Sequence, residues 1–244
     1  MALSFALQLY TVRDHYEADF AGTLEKVKEA GYDAVEVAGF GAHTVAQVRQ
    51  MLADTGLQAT STHVDGNQVI NDPGAVADIA RELGVDHVVM SWGPTEPGAW
   101  RELVPKLDAG GAALREAGVT FCYHNHAHEF LPIDGQPMLD YLLEHTSPEH
   151  VQAELDTYWV KEGGLDPASY IVKHAGRCPL LHCKDMTAGN PHTFAEVGEG
   201  VLDWDAIFAA GTGAGVAWYI VEQDVCTGDS LESARISAQF MKRQ

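Results

Sequence analysis

Apolar residues fall into two alternating patterns along the chain. Short, near-continuous apolar runs predict eight strands, roughly at 4–9, 33–38, 57–63, 86–92, 119–124, 151–156, 178–183 and 217–222. Runs without strict alternation are what a parallel sheet covered on both faces requires. Between them lie amphipathic stretches: Phe20, Leu24 and Val27 share one helical stripe, as do Val45, Val48 and Leu52. Asp72-Pro73 supplies an N-cap and a first-turn proline before Val76, Ile79, Ala80 and Leu83. A helix is predicted after every strand, the later ones near 136–145, 165–175, 203–210 and 229–242.

Gly31, Gly56, Gly84 and Gly118 each close a helical stretch just before a strand, 25, 28 and 34 residues apart. Glycine takes the left-handed conformation that stops a helix, and the spacing is that of an αβ repeat. Eight such units in 244 residues, with no Gly-rich fingerprint after the first strand, predict a closed (β/α)8 TIM barrel rather than a doubly wound sheet. The whole of 1–244 is expected to form one domain.

Composition narrows the function. Fifteen Lys and Arg against 35 Asp and Glu give a formal charge of −20, which repels polyanions and excludes nucleic acid as an expected partner. An acidic pocket would instead attract a divalent cation. Cys122, Cys178, Cys183 and Cys226 show no CxxC spacing and read as buried, reduced thiols of a cytosolic protein. The N-terminus lacks a basic leader, and no apolar run approaches the roughly 18 residues of a membrane span. A cytoplasmic protein with no membrane partner is expected.

Barrel enzymes carry their chemistry at the C-terminal ends of the strands. Here the first strand ends on Gln8 and Tyr10, the second on Glu36, the third on His63 and Asp65, and the fourth on Trp92. The fifth offers His124, Asn125 and His126; the sixth, Glu154 and Asp156, followed by Tyr158 and Trp159. The seventh presents His182, Lys184 and Asp185, and the eighth Glu222 and Asp224. Singly, each has a plain structural alternative: Glu36 could pair with Arg13, and Trp92 and Trp159 could be packing. Jointly, Asp156, His182 and Glu222 supply oxygen and nitrogen ligands from three consecutive strands, which suits Mn²⁺, Mg²⁺ or Zn²⁺ and not a structural thiolate site.

The same residues carry a resemblance that spans essentially the whole chain. Tyr123-His124-Asn125-His126-Ala127-His128-Glu129-Phe130, Glu154-Leu155-Asp156-Thr157-Tyr158-Trp159, His182-Cys183-Lys184-Asp185 and Val197-Gly198-Glu199-Gly200-Val201-Leu202-Asp203-Trp204 resemble the xylose isomerase-like TIM-barrel superfamily. Within it, the likeness is to the sugar phosphate isomerase/epimerase group, which holds ketose 3-epimerases, hydroxypyruvate isomerase and inosose dehydratase, with endonuclease IV more distant. The resemblance implies one divalent ion, Mn²⁺ first and Mg²⁺, Zn²⁺ or Co²⁺ after it, held by ligands from strands five to eight. Asp156, His182 and Glu222 match the last three. The strand-five carboxylate is replaced by His124, with Glu129 five residues further on, so either side chain is a candidate fourth ligand.

The implied chemistry is proton abstraction next to a carbonyl of a small sugar or polyol, with the developing enediolate charge stabilised by the metal. Glu222, His126 and Lys184 are the expected catalytic residues; Gln8, Glu36, His63, Trp92 and Trp159 are expected against the substrate. A histidine at strand five favours an inosose dehydratase-like lyase, acting on a cyclitol or keto-glycoside, over a two-carboxylate epimerase. No Gly-rich phosphate loop with a basic companion follows strands seven and eight, so a neutral sugar or cyclitol is expected. Two further alternatives are an endonuclease IV-like repair enzyme, opposed by the charge, and a non-catalytic sugar-binding barrel. Members of the group commonly form dimers or tetramers, so a homo-oligomer is in keeping with the resemblance.

Overall fold

The computed structural model describes residues 3–244. Its barrel strands are β1 (Phe5–Gln8), β2 (Ala34–Val37), β3 (Gln58–His63), β4 (His87–Met90), β5 (Thr120–His124), β6 (Gln152–Asp156), β7 (Leu180–Cys183) and β8 (Trp218–Val221). All pair in parallel and close in the order β1-β8-β7-β6-β5-β4-β3-β2. Outer helices follow in turn: α1 (Phe20–Ala30), α2 (Val45–Thr55), α3 (Pro73–Leu83), α4 (Trp100–Glu116), α5 (Met138–Glu144), α6 (Pro167–Lys173), α7 (Trp204–Ala214) and α8 (Ser230–Met241). The fold is the single (β/α)8 barrel that the apolar pattern predicts.

The local devices behave as expected. Asp19, Thr44 and Asp72 cap α1, α2 and α3 through their side chains, and Thr44 with Gln47 forms a full capping box. Gly31, Gly56 and Gly84 end these helices at positive φ. Strand four is shorter than expected: Ser91 and Trp92 leave the sheet after Met90, just ahead of Gly93 and Pro94. Two short hairpins also lie outside the expected elements, at 132–137 and at 185–195.

The barrel interior is layered. Ala6, Ala34, Val89, Cys122, Leu180 and Ile220 form a small buried cluster of their own, apart from the main core between strands and helices. Two residues further along a strand, side chains return to the same face. Those positions are Gln8, Glu36, Ser91, His124, His182 and Glu222. An apolar plug thus closes the bottom of the barrel, and polar groups stand directly on it. A register shift between Val35 and Glu36 sets Ser61 opposite Glu36, so that Ser61 Oγ donates to Glu36 Oε2 at 2.5 Å.

Candidate active site

The lowest polar layer is enclosed except at His63, which reaches the pocket. Glu36 is completely buried; its Oε1 accepts from Gln8 Nε2 at 2.6 Å and lies 3.0 Å from His63 Nε2 and 2.7 Å from His182 Nε2. Glu154 Oε2 lies 3.0 Å from His124 Nδ1 and 3.1 Å from His182 Nε2. Burial opposes a charged His63, but Glu36 and Glu154 outweigh it and raise its pKa to about 10. Burial likewise opposes a charged His182, and Glu154, Glu222 and Glu36 raise it well above the usual histidine range. Glu36 and Glu154 thus draw positive charge to His63 and His182, a charge that a cation bound at His182 would supply in place of its proton. His124, by contrast, is held neutral by burial and by the neighbouring His182, His126 and Lys184.

Above this layer, His124, Asp156, His182 and Glu222 each present a ligand atom, all within 4.8 Å of one another. Among the described residues a second such group is His63, His124, Glu154 and His182. The two share His124 and His182, so they are alternatives for one ion. The first holds two carboxylates and suits a divalent charge better. Its Asp156 Oδ2 is buried with no well-formed hydrogen bond, and the closest cation is Lys184 Nζ at 3.0 Å. Burial raises the pKa of Asp156 to about 6, which a bound cation would reverse. Two carboxylates, two imidazoles and an under-coordinated buried oxygen fit a divalent ion.

Glu129 is not in this group. It sits in the short turn after β5, fully buried. Tyr123 Oη and the His126 N–H donate to its carboxylate at 2.6 and 2.8 Å, and His128 Nε2 lies 3.0 Å away. Of the two candidates for the fourth ligand, the fold brings His124 to the other three and commits Glu129 to holding the loop.

The expected catalytic residues converge. Lys184 Nζ lies 2.8 Å from both Glu222 Oε2 and Asp224 Oδ2; burial opposes its charge, but Asp156, Glu222 and Asp224 raise its pKa. Lys184 is therefore a permanent cation. Burial raises a carboxyl such as Glu222, yet Lys184 and His182 hold it well below the carboxylate range. His126 is lowered to about 4 by burial, and its buried Nδ1 has no hydrogen-bond partner. Its ring is walled by Trp92 at 5.0 Å and Trp159 at 5.5 Å between centroids.

The pocket of about 380 Å³ over this group is lined by Gln8, His63, Trp92, His124, His126 and Glu222, among others. Glu36 and Trp159, both expected against the substrate, are not among its lining. Glu36 lies beneath, and Trp159 backs His126 and Lys184. Arg13 does not pair with Glu36; it donates to the carbonyls of Tyr10 and Asp224. Ser61 and Ser91 were not singled out from sequence. Their signal is position: Ser61 lies two residues before His63 on the same face of its strand, and Ser91 lies two residues past inward-facing Val89.

Comparison with known proteins identifies the family of this fold. An inosose dehydratase from Geobacillus kaustophilus is 24% identical, covering 94% of this chain and 88% of its own. The chain spans little more than half the length of the other curated relatives it matches. A sugar phosphate isomerase/epimerase from Parabacteroides distasonis superposes with a TM-score of 0.85 at 24% identity, covering 98% of this chain and 94% of that one. The IOLI protein, solved with a binding zinc atom, superposes with a TM-score of 0.74 at 13% identity, covering 97% of this chain and 96% of that one. Residues 24–244 match the family model of the xylose isomerase-like TIM barrel, and the chain belongs to that family.

Proposed function

We propose that this is a metal-dependent enzyme that removes a proton next to the carbonyl of a small, uncharged sugar, keto-sugar or cyclitol. The observation that carries the reading is His126: a neutral imidazole with a free, buried Nδ1, set in the pocket wall beside the His124, Asp156, His182 and Glu222 group. A divalent ion held by that group, Mn²⁺ first and Zn²⁺, Mg²⁺ or Co²⁺ after it, would supply a Lewis acid for the carbonyl oxygen. His126, unprotonated at neutral pH, accepts the proton. Lys184 offsets the charge of Asp156, Glu222 and Asp224 and keeps the site from becoming more anionic than an enediolate can tolerate. Glu222 faces the same pocket as His126 from the opposite side of the fifth-to-eighth strand arc.

Two outcomes share this first step. Return of the proton by His126 or Glu222 isomerises or epimerises the sugar, since two proton carriers line one pocket. Loss of a neighbouring hydroxyl, leaving as water with the proton that His126 took up, dehydrates it. The second is favoured by His124 standing with the ligand group in place of a carboxylate, and by curated relatives that are inosose dehydratases. No Lys or Arg lines the pocket, which supports an uncharged substrate over a sugar phosphate. Cys122, Cys178 and Cys183 are buried while Cys226, expected to be buried too, is partly exposed; all four are unpaired, which supports a reducing, cytoplasmic setting.

The test is proton–deuterium exchange across ketoses, keto-glycosides and inososes, with Glu222→Gln beside the wild type. Deuterium in recovered sugar marks the shared proton abstraction, deuterium in an isomerised or epimerised product marks isomerisation, and loss of water marks dehydration. Both reactions should fall by about 100-fold or more in the variant. If the wild type exchanges no member of the panel, the proton-abstraction reading fails.

A further inference from the structure

The pocket does not end at Trp92. A second cleft of about 460 Å³ opens on the other side of the residue, sharing Ser91 and Trp92 with the first. It runs between the short helix Gly66–Asn71 and the start of α4. A third hollow of about 520 Å³ extends it outward, sharing Asn67, Ile70 and Leu103. Trp92 is therefore the divider of a continuous groove that starts over the acidic group and leaves the barrel mouth sideways.

Trp92 is 62% exposed and lines both hollows, so its indole faces are open to a ligand on either side. Its exposure is built rather than loose. The next residue, Gly93, lies so close to Tyr123 and Trp100 that a Cβ would come within 2.5 Å of Tyr123 Oη and 2.6 Å of the Trp100 ring. The Gly93 carbonyl is 3.2 Å from His128 Nε2, and Trp100 Nε1 donates to the Pro94 carbonyl at 2.8 Å. The backbone just after Trp92 is thus held, and the indole stands between the two hollows against the His126 and His128 rings, each 5.0 Å away between centroids.

The two hollows differ in chemistry. The first is lined by imidazoles and carboxylates. The second is lined largely by Ile70, Met90, Leu103 and Pro94 around the indole, and no Lys or Arg lines it. Its one carboxylate, Asp65, accepts the Asn67 N–H at 2.9 Å as a helix cap. Such a surface suits an uncharged ring with an apolar face; Lys106 and Glu102 line only the outer hollow.

We propose that the cleft beyond Trp92 is a subsite for a second, uncharged ring of the substrate. The substrate class is then a keto-glycoside, a sugar that carries a ring carbonyl and is joined through a glycosidic oxygen to an aryl or second sugar ring, rather than a free monosaccharide or cyclitol. This rests on the sugar-pocket reading above, but its test is binding and not turnover.

Methyl, phenyl and disaccharide glycosides of glucose, galactose, mannose and xylose are titrated calorimetrically into the wild type, Asn67→Trp and Leu103→Trp. The two substitutions fill the cleft from opposite walls. For at least one sugar, the phenyl or disaccharide form should bind the wild type about tenfold more tightly than the methyl form, and both variants should lose that advantage. Which of the two ligands gains separates an aryl from a glycosyl second ring. No advantage for any sugar, or an advantage that both variants keep, overturns the subsite. An advantage lost in the variants, with no deuterium exchange in any sugar, keeps the subsite and removes the reaction.

Discussion

Glu36 Oε1 lies 2.7 Å from Nε2 of His182, across the barrel and 146 residues away in sequence. If His182 holds an ion through Nδ1, its Nε2–H points at this carboxylate, which fixes the ring and makes the imidazole more basic. Glu36→Gln keeps the shape but removes the charge, and also weakens the hold on His63. The expected outcome is a metal affinity roughly 10–100-fold lower, measured by competition with a chelator. An affinity within about threefold of the wild type would remove Glu36 from the metal centre.

A second buried carboxylate organises the loop ahead of α7. Asp185 is fully buried and accepts from the backbone N–H groups of Met186, Gly198, Gly200 and Leu202 and from Trp204 Nε1, at 2.6 to 3.2 Å. No cation is needed, because five donors surround the anion. Asp185→Ala leaves all five without an acceptor and should cost about 3 kcal/mol or more, lowering Tm by about 6–12 °C. Asp185→Asn should do nearly as much harm, since its amide NH₂ faces other donors. Calorimetry of both variants decides it, and a Tm within about 2 °C of the wild type would refute this account.

Much of this was legible in the chain. Gly31, Gly56, Gly84 and the apolar runs give the barrel, and reading the strand ends brings Asp156, His182 and Glu222 to one rim. What stayed hidden follows from the barrel having two buried faces. Outward residues such as Leu7, Val35 and Leu181 are as apolar as the interior plug, so the inward series Ala6–Gln8, Ala34–Glu36, Leu180–His182 dissolves into a continuous run. Glu36 could therefore not be told from a rim residue. The fate of Glu129 depends on Tyr123 Oη and on a tight turn, neither visible as a pattern. One signal was simply unread: Asp134-Gly135, both at positive φ, is a two-residue hairpin turn between Ile133 and Gln136.

Glycine pairs give a test of packing with opposite signs. Gly110 and Gly111 lie inside α4, where alanine would ordinarily stabilise by about 1 kcal/mol. At Gly111, however, a Cβ would stand 2.1 Å from the His150 carbonyl oxygen and 2.7 Å from its carbon, both backbone atoms. Gly111→Ala should thus destabilise by about 2 kcal/mol or more. Gly213, in the last turn of α7, has nothing within 4 Å of the same position, so Gly213→Ala should be neutral or gain up to about 1 kcal/mol. Denaturant unfolding of the two variants reads the contrast, and equal effects would contradict it.

The acid limb of stability should carry a contribution from Asp140. This buried carboxylate ties α5 to α6: Tyr170 Oη donates to it at 2.9 Å, Lys173 Nζ lies 2.6 Å away and His174 Nε2 2.8 Å. Burial opposes its charge, but His174, Lys173 and Tyr170 outweigh it and lower its pKa to about 2. The unfolded carboxyl titrates near about 3.9. A depressed folded value means the contribution is complete above the unfolded pKa and is lost as pH falls toward the folded one. Roughly 1 kcal/mol should be gone by pH ~3, allowing for the half-exposed Lys173. Asp140→Asn removes the titration, so the stability gap between wild type and variant should narrow by that amount between pH ~5 and ~3. Urea unfolding at successive pH values measures the gap, and one that stays constant over that range would rule out Asp140 as its source.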